Sequence, residues 1–386
     1  MTESRLKEYI DINPKVKLQK GEKYSSVEME KITVGQKVAD ANNKAEYTGK
    51  SCSKFLPNDT LMARITPCLE NGKIAKYESD TAGFGSTEFF VLRAKENKVT
   101  ADYVYYLSQT HYIRQLAVNS MTGASGRQRA DAKYIGNIKW NFPDIEIQIK
   151  IADILSAYDN LIENNNKRIH LLEQMAENFY KEWFVRFRFP GYEDVDFENG
   201  IPKEWKIVRL SDIADIIMGQ SPESENYNTN CKGLPFHQGV GSYGDFYLID
   251  DVYSTKGNRI AEANSIIFSV RAPVGRINIT LNKIILGRGV AGINSILGYN
   301  AYLLWMLKNQ FQQEDIIGNG SIFASVTKKE LFGFKILMPN ENLMQKFDSI
   351  ASGIESEMRK ISLINSNLKK QRDMLLPRLM SGKLEV

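Results

Sequence analysis

Apolar side chains recur at intervals of three and four along one long stretch: Ile151, Ile154, Tyr158, Leu161, Ile169, Leu172, Met175, Phe179 and Trp183, with a longer step across Asn165. No Gly or Pro falls between Ile145 and Phe189, so the pattern predicts one long helix with a heptad-like stripe. Pro143 suits the start of that helix, with Asp144 favourable near its positive end. A second stripe closes the chain at Phe347, Ile350, Ile354, Met358, Ile361, Leu368 and Leu375. Gly353 interrupts it, and Pro377 and Gly382 are read as its stop. Ahead of each helix, short β-like runs (LMARI and FFVLRA; SIIFSV and KIILG) alternate with turns around one helical patch, ADYVYYLSQTHYIRQL or YNAYLLWMLKNQF.

The chain reads twice. RLKEYIDI at 5–12 matches RLSDIADI at 209–216, and TLMARIT at 60–66 matches SIIFSVR at 265–271 at an offset of 205. IKWNFP at 138–143 matches FKILMP at 334–339 at an offset of 196, which carries through the tail to align Phe179 with Leu375. Matches in one order point to a tandem duplication. The expected plan is a mixed α+β (α/β) chain: a lobe at 1–143, a helix at 144–189, a similar lobe at 190–339 and a helix at 340–386. Two matched stripes, each closing one half, are expected to pair as a coiled coil, with Asn164 to Asn166, Asn365 and Asn367 fixing register. Roughly 35 helical residues at 1.5 Å each make a rod of about 50 Å, the length of a spacer.

Composition narrows the class. A length of 386 residues suits about two domains. With 42% apolar and 25% charged residues, the chain is an ordinary globular protein and neither disordered nor collagenous. No apolar run approaches the roughly 18 residues of a membrane span, and the polar start MTESRLKEYI argues against a secretory signal. Cys52, Cys68 and Cys231 are too scattered for a disulfide framework or zinc site and fit the cytoplasm, so no metal site is expected. Residues 1–145 carry 22 Lys and Arg against 17 Asp and Glu, whereas 191–340 are slightly acidic. Any nucleic-acid reading must therefore rest on local features.

Catalytic signals fall away when tested. The G-x-G-x-x-G stretches at Gly239 and Gly287 lack the strand-to-helix setting of a dinucleotide site, and a glycine-rich turn explains both. No Walker-type phosphate loop occurs. Pro143-Asp144 is not followed by the Glu-x-Lys of a metal-dependent nuclease, and no Asn/Asp-Pro-Pro-aromatic tetrapeptide marks amino-methylation. No catalytic residue is assigned.

Two polar, glycine-flanked loops precede the long helices: SMTGASGRQRADAKYIG at 120–136 and IGNGSIFASVTKKELFG at 317–333. The first offers Ser125, Arg127, Gln128, Arg129 and Lys133; the second offers Ser321, Ser325, Lys328 and Lys329. Arg pairs with guanine edges and Gln with adenine, while Lys and Ser suit phosphates. A solvated loop with a helix N-cap at Asp131 or Thr327 is the bland alternative, and recurrence at the same place in both copies favours function. Further DNA-binding candidates are Arg64, Arg271, Arg288, His237 and Gln238, although a lone His is more often structural.

The stretches NNKRIHLLEQMAENFYKEWFVRF at 165–187, GIPKEWKIVRLSDIADI at 200–216 and NLKKQRDMLLPRLMSGKLEV at 367–386 resemble the specificity subunits of type I restriction–modification systems. GFGSTEFFVLRA at 83–94 and GSIFASVTKKEL at 320–331 add to the likeness, which spans nearly the whole chain. The resemblance implies two target recognition domains with pseudo-twofold symmetry, each reading half of a split double-stranded DNA sequence. Two antiparallel helices would set the unread gap. Such a subunit holds no cofactor. Two modification subunits bring S-adenosylmethionine, and restriction subunits use ATP and Mg. The aromatic and apolar helix ends, Phe179, Tyr180, Trp183 and Phe184 with Leu375, Leu376 and Leu379, are expected to dock the methyltransferase. The rival reading is a two-lobed coiled-coil interaction scaffold without sequence-specific DNA binding.

Overall fold

The computed structural model describes residues 2–124, 126–316 and 325–386. The chain divides into two compact units, Met1–Asn166 with Leu363–Val386, and Lys167–Ser362.

The first unit opens with β1 (Thr2–Arg5), the one-turn helix α1 (Leu6–Tyr9) and β2 (Ile10–Ile12). Then come β3 (Thr60–Ala63), β4 (Ile74–Lys76) and β5 (Phe89–Ala94). Helices α2 (Ala101–Gln109), α3 (His111–Asn119) and α4 (Ala132–Asn137) lead to β6 (Lys139–Phe142) and the long α5 (Ile145–Tyr180). The single helical patch expected from ADYVYYLSQTHYIRQL breaks at Thr110, whose side chain instead caps α3 by accepting from Ile113 N–H. β1 pairs antiparallel with β6, and a four-stranded sheet runs in the order β2-β5-β3-β4. A second sheet joins the strands Lys23–Val27, Lys44–Glu46, Ser53–Phe55 and Gly83–Gly85.

All four residues of β3 are buried because its alternating side chains feed two cores. Met62 packs with Tyr103 and Leu107 of α2, and Leu61 packs with Val27 and Phe55 of the second sheet and with Tyr77, which follows β4. Each such side chain contributes about 1.5–3 kcal/mol by leaving water.

The second unit repeats the plan with β7 (Lys206–Arg209), α6 (Leu210–Ile213), β8 (Ala214–Met218), β9 (Ile266–Ser269), β10 (Ile277–Ile279) and β11 (Val290–Ser295). Helices α7 (Asn300–Ile316) and α8 (Lys328–Phe332), strand β12 (Lys335–Met338) and the long α9 (Glu341–Met380) complete it. The sheet order β8-β11-β9-β10 and the outer pair β7-β12 reproduce the first unit. β3 starts at Thr60 and β9 at Ile266, so the copies stand 206 positions apart here, one more than the sequence match gives. That shift brings Pro67 level with Pro273, each in a cis X-Pro bond.

The long helices run antiparallel. In the first unit the early part of α5 (Ile151, Ala152, Leu155) packs with the late part of α9 (Leu379, Met380). In the second, late α5 (Ala176, Tyr180) packs with early α9 (Phe347, Ala351, Ile354, Met358). The seam keeps Ile151, Phe347, Ile354, Met358 and Ile361 of the expected stripe and departs from it elsewhere: Ile154, Leu161, Met175 and Ile350 are exposed, while Leu155, Asp159, Ile162, Ala176 and Ala351 are buried. The stripe counted only large apolar residues, whereas this seam also uses alanines and a buried carboxylate. α5 ends at Tyr180 in a single π-turn, Lys181–Val185, instead of continuing to 189. α9 passes through Pro377 to Met380, the proline removing one helical N–H donor a single turn before the helix ends.

Candidate nucleic-acid interface

In the first unit the segment between α3 and α4 is a hairpin whose stem residues Thr122 and Arg129 exchange backbone hydrogen bonds of 3.0 Å each way. It is stitched to the chain leaving β3: Thr66 N–H donates to Gln128 C=O at 3.0 Å, and Ala130 N–H to Arg64 C=O at 2.8 Å. Asp131 then caps α4, accepting from Tyr134 N–H at 2.6 Å. The N-cap and the recurring loop are therefore two parts of one device, since the cap fixes where the hairpin ends.

Arg127 is exposed at the tip, and among the described residues its guanidinium forms no hydrogen bond or ion pair. Gln128 is half-buried beside it, and Lys133 is exposed on α4. Arg129 is exposed but engaged: its Nε and Nη2 donate to the Glu88 carboxylate at 2.6–3.0 Å. The Glu88 carboxylate holds that guanidinium charged above its ordinary range. Arg64 is half-buried with its guanidinium over the Phe90 ring, 5.1 Å from the centroid. Ser125 and Ser321 lie outside the described residues.

The second unit uses the same stitch. Val326 N–H donates to Val270 C=O at 2.8 Å, Arg271 bridges to Ser325, and Thr327 caps α8 in a capping box with Glu330. Here glycine lets two further segments join. A Cβ on Gly289 would stand 2.1 Å from the Gln238 carbonyl oxygen, and one on Gly287 would stand 2.4 Å from the Gln238 Cβ. The Gly-rich stretch thus makes the tight turn between the strand Ile284–Leu286 and β11, as the turn reading requires. Val270 N–H also donates to Gly289 C=O at 2.9 Å. Gln238, Arg271, Arg288 and Ser325, all exposed, consequently share one edge. Lys328 and Lys329 follow on α8, also exposed.

Sequence reasoning missed Gln220 and Ser221 on this edge. Gln220 N–H donates to Leu286 C=O at 2.9 Å, and the Ser221 hydroxyl accepts from Arg288 N–H at 3.1 Å. Their only local signal is a polar pair one glycine beyond β8.

Two groups of candidates need correction. His237 is 1% exposed, with Nδ1 2.8 Å from Ser242 Oγ and Nε2 2.9 Å from Asp250 Oδ1, so it braces its loop and has no face for DNA. Tyr180, Trp183, Phe184 and Leu379 are buried in the cores of their own units, which takes them out of a docking partner's reach. The chain after α5 folds back and covers the aromatic cluster, with Trp205 ring centroids within 6 Å of Phe184 and Phe187. Phe179, Leu375 and Leu376 are half-buried. The exposed apolar side chains of the long helices include instead Leu161, Leu171, Met175, Leu363, Ile364 and Met374.

Among the described residues no group of three or more His, Cys, Asp or Glu is placed to hold a metal ion, and no helix is long and apolar enough to cross a membrane. Fold and site define a duplicated α+β chain with two antiparallel helices and an arginine- and glutamine-bearing edge in each copy. Residues 1–174 and 202–371 match the Type I restriction modification DNA specificity domain, and the chain belongs to that family. It is 31% identical over 353 residues to the putative type I restriction enzyme MjaX specificity subunit of Methanocaldococcus jannaschii, covering 86% of this chain and 80% of the relative. It is 27% identical to the MjaIX specificity subunit of the same organism, covering 89% and 82%. The crystal structure of a type I restriction–modification system S subunit from M. genitalium shares the fold, with a TM-score of 0.54 at 16% identity, over 98% of this chain and 96% of that one.

Proposed function

We propose that this chain is the DNA sequence-recognition subunit of a type I restriction–modification complex, acting in the cytoplasm without chemistry of its own. Each unit reads one short word of a two-part target, and the interval between the words is set by the α5–α9 pair. Two modification subunits supply S-adenosylmethionine and methylate adenine at N6 after the base is drawn out of the stack. Restriction subunits with ATP and Mg cut unmodified DNA.

The observation that carries this reading is the repeated stitch with different side chains on it. Both copies tie the segment before their capped helix, α4 or α8, to the chain leaving the central strand. The first presents Arg127 and Gln128 there, and the second Arg271, Arg288 and Gln238. A common frame with unlike hydrogen-bonding groups is what two different half-sites need. Phosphate contacts fall to Lys133, Lys328 and Lys329.

The test is co-expression with modification and restriction subunits, followed by mapping of N6-methyladenine in host DNA. One bipartite motif with a fixed gap is expected. Methylation without any shared motif would leave the chain a scaffold.

A further inference from the structure

We propose that Glu88 is a positioning residue for base reading in the first unit, clamping Arg129 so that the hairpin tip presents Arg127 and Gln128 in one pose. The inference rests on the DNA-reading role above and assigns Arg129 a different task from its neighbours.

Arg129 Nε donates to both Glu88 carboxylate oxygens, at 3.0 and 2.9 Å, and Nη2 donates to Oε1 at 2.6 Å. A two-pronged arrangement of this kind restricts direction as well as distance. It occupies the Nε–Nη2 edge of the guanidinium, one of the two edges with which an arginine can grip a guanine. The backbone of the same residue closes the hairpin stem on Thr122. Arg129 is therefore held twice, by its side chain and by its main chain, while Arg127 two residues away is free to reach outward.

Glu88 is fixed from its own side too, since its carbonyl accepts from Arg64 N–H at 2.9 Å. The carboxylate thus sits on the same stitch that carries the loop. In the second unit the equivalent hydrogen bond runs from Val270 N–H to Gly289 C=O, and the residue facing it is Ser325. Gly289 and Ser325 hold no charge, so the equivalent positions of the second unit carry no such clamp, and the effect of breaking this one falls on the first half-site.

The experiment uses the full methyltransferase complex on a DNA library with both half-sites randomised. Variants are Glu88→Ala, Arg129→Ala, the double variant, and the exchange Glu88→Arg with Arg129→Glu. Both single variants and the double are expected to relax the same one or two positions of the first half-site by about ten-fold. The exchange is expected to restore selection. Selection at the second half-site, read from the same molecules, reports that each variant is folded and assembled. The proposal is overturned if Glu88→Ala keeps the native motif while Arg129→Ala and the exchange lose it, because Arg129 would then be reading a base itself. Four variants that all keep the native motif overturn it as well. A wild-type complex that selects no motif strikes the DNA-reading role and this inference with it, which separates the two failures.

Discussion

Positions 159 and 355 stand 196 apart, at the offset that relates the two helical halves, and each holds a carboxylate, buried at Asp159 and half-buried at Glu355, that is neutralised in its own way. Asp159 accepts from the Tyr106 hydroxyl at 2.6 Å and pairs with Arg372 of α9 at 2.5 Å. Burial works against the charge on Arg372, yet Asp159 and Asp373 keep that guanidinium charged above its ordinary range. Glu355 accepts from Trp305 Nε1 at 3.0 Å, and Trp305 matches Tyr106. The position matching Arg372 is Ala176, fully buried and without charge. Burial pushes the Glu355 carboxyl up to about 8, with Asp348 adding to the rise and the Trp305 bond and Lys308 opposing it. One copy answers a buried acid with an arginine, the other with a proton. The duplication conserves the place of a polar joint between helix and lobe and leaves its chemistry free to change.

The largest effect should come from removing the arginine. Arg372→Met leaves Asp159, whose side chain is 4% exposed, as an unpaired buried charge, a change that costs about 3–5 kcal/mol. Chemical denaturation should show this as a lower midpoint with loss of exchange protection in α2. Adding Asp159→Leu should recover most of the loss, because an apolar replacement of a buried pair is often close to neutral. Equal destabilisation by the single and double variants would show that the pair is not what holds the joint.

The second copy should respond to pH instead. A carboxyl of ordinary value 4.5 in the unfolded chain and about 8 when folded binds its proton more tightly in the native state. Stability is then full below pH 4.5, falls as pH rises towards 8, and levels off above it, at up to about 1.4 kcal/mol per pH unit. Glu355→Gln keeps an acceptor for Trp305 and removes the titration, so thermal midpoints between pH 5 and 9 should flatten relative to wild type. Identical pH profiles for the two proteins would contradict a neutral Glu355.

At the reading edges, Arg127→Ala should cost about 1–3 kcal/mol on the cognate site and relax one position of the first half-site. Arg288→Ala should do the same to the second half-site. An unchanged methylated motif in either variant removes that arginine from the reading set.

The repeat itself was legible, because local matches in one order survive low identity and both copies keep the same strand order. The long helices were legible too, and their facing side in part, since Ile151, Phe347, Ile354 and Met358 of the expected stripe are buried in the seam. Ala152, Asp159 and Ala176 sit in the seam, and a search for large apolar residues passes over small and paired polar ones. The Arg127 loop showed itself through composition and recurrence. The partnership of Gln238 with Gly287 and Gly289 joins segments about fifty residues apart through backbone contact, which no spacing rule registers. Glu88 gave no signal either, for its role depends on a residue forty-one positions away. Trp183 and Phe184 misled for the opposite reason: an aromatic helix end looks the same in sequence whether a partner or the chain's own return covers it.

The smallest energetic change concerns the amides in the seam of the first unit. Asn165 Nδ2 donates to Asn365 Oδ1 at 2.8 Å, and Asn365 Nδ2 donates to Asn166 Oδ1 at 2.8 Å. Asn365→Leu alone strands the Asn165 amide in a buried position and should cost about 1–3 kcal/mol. Replacing Asn165 and Asn365 together removes both ends of that bond and should leave stability within about 1 kcal/mol of wild type, since Asn166 is half-buried and can turn to water. The consequence should appear in register. A polar pair buried in a seam penalises every alignment of the helices that separates its members. Without it, α5 and α9 should tolerate a slipped pairing, and the methylated motif should acquire a second gap length with both half-sites unchanged. A single unaltered gap in the double variant would assign the register to the Asp159–Arg372 pair, making the first unit's ion pair, absent from the second, the element that fixes the stride.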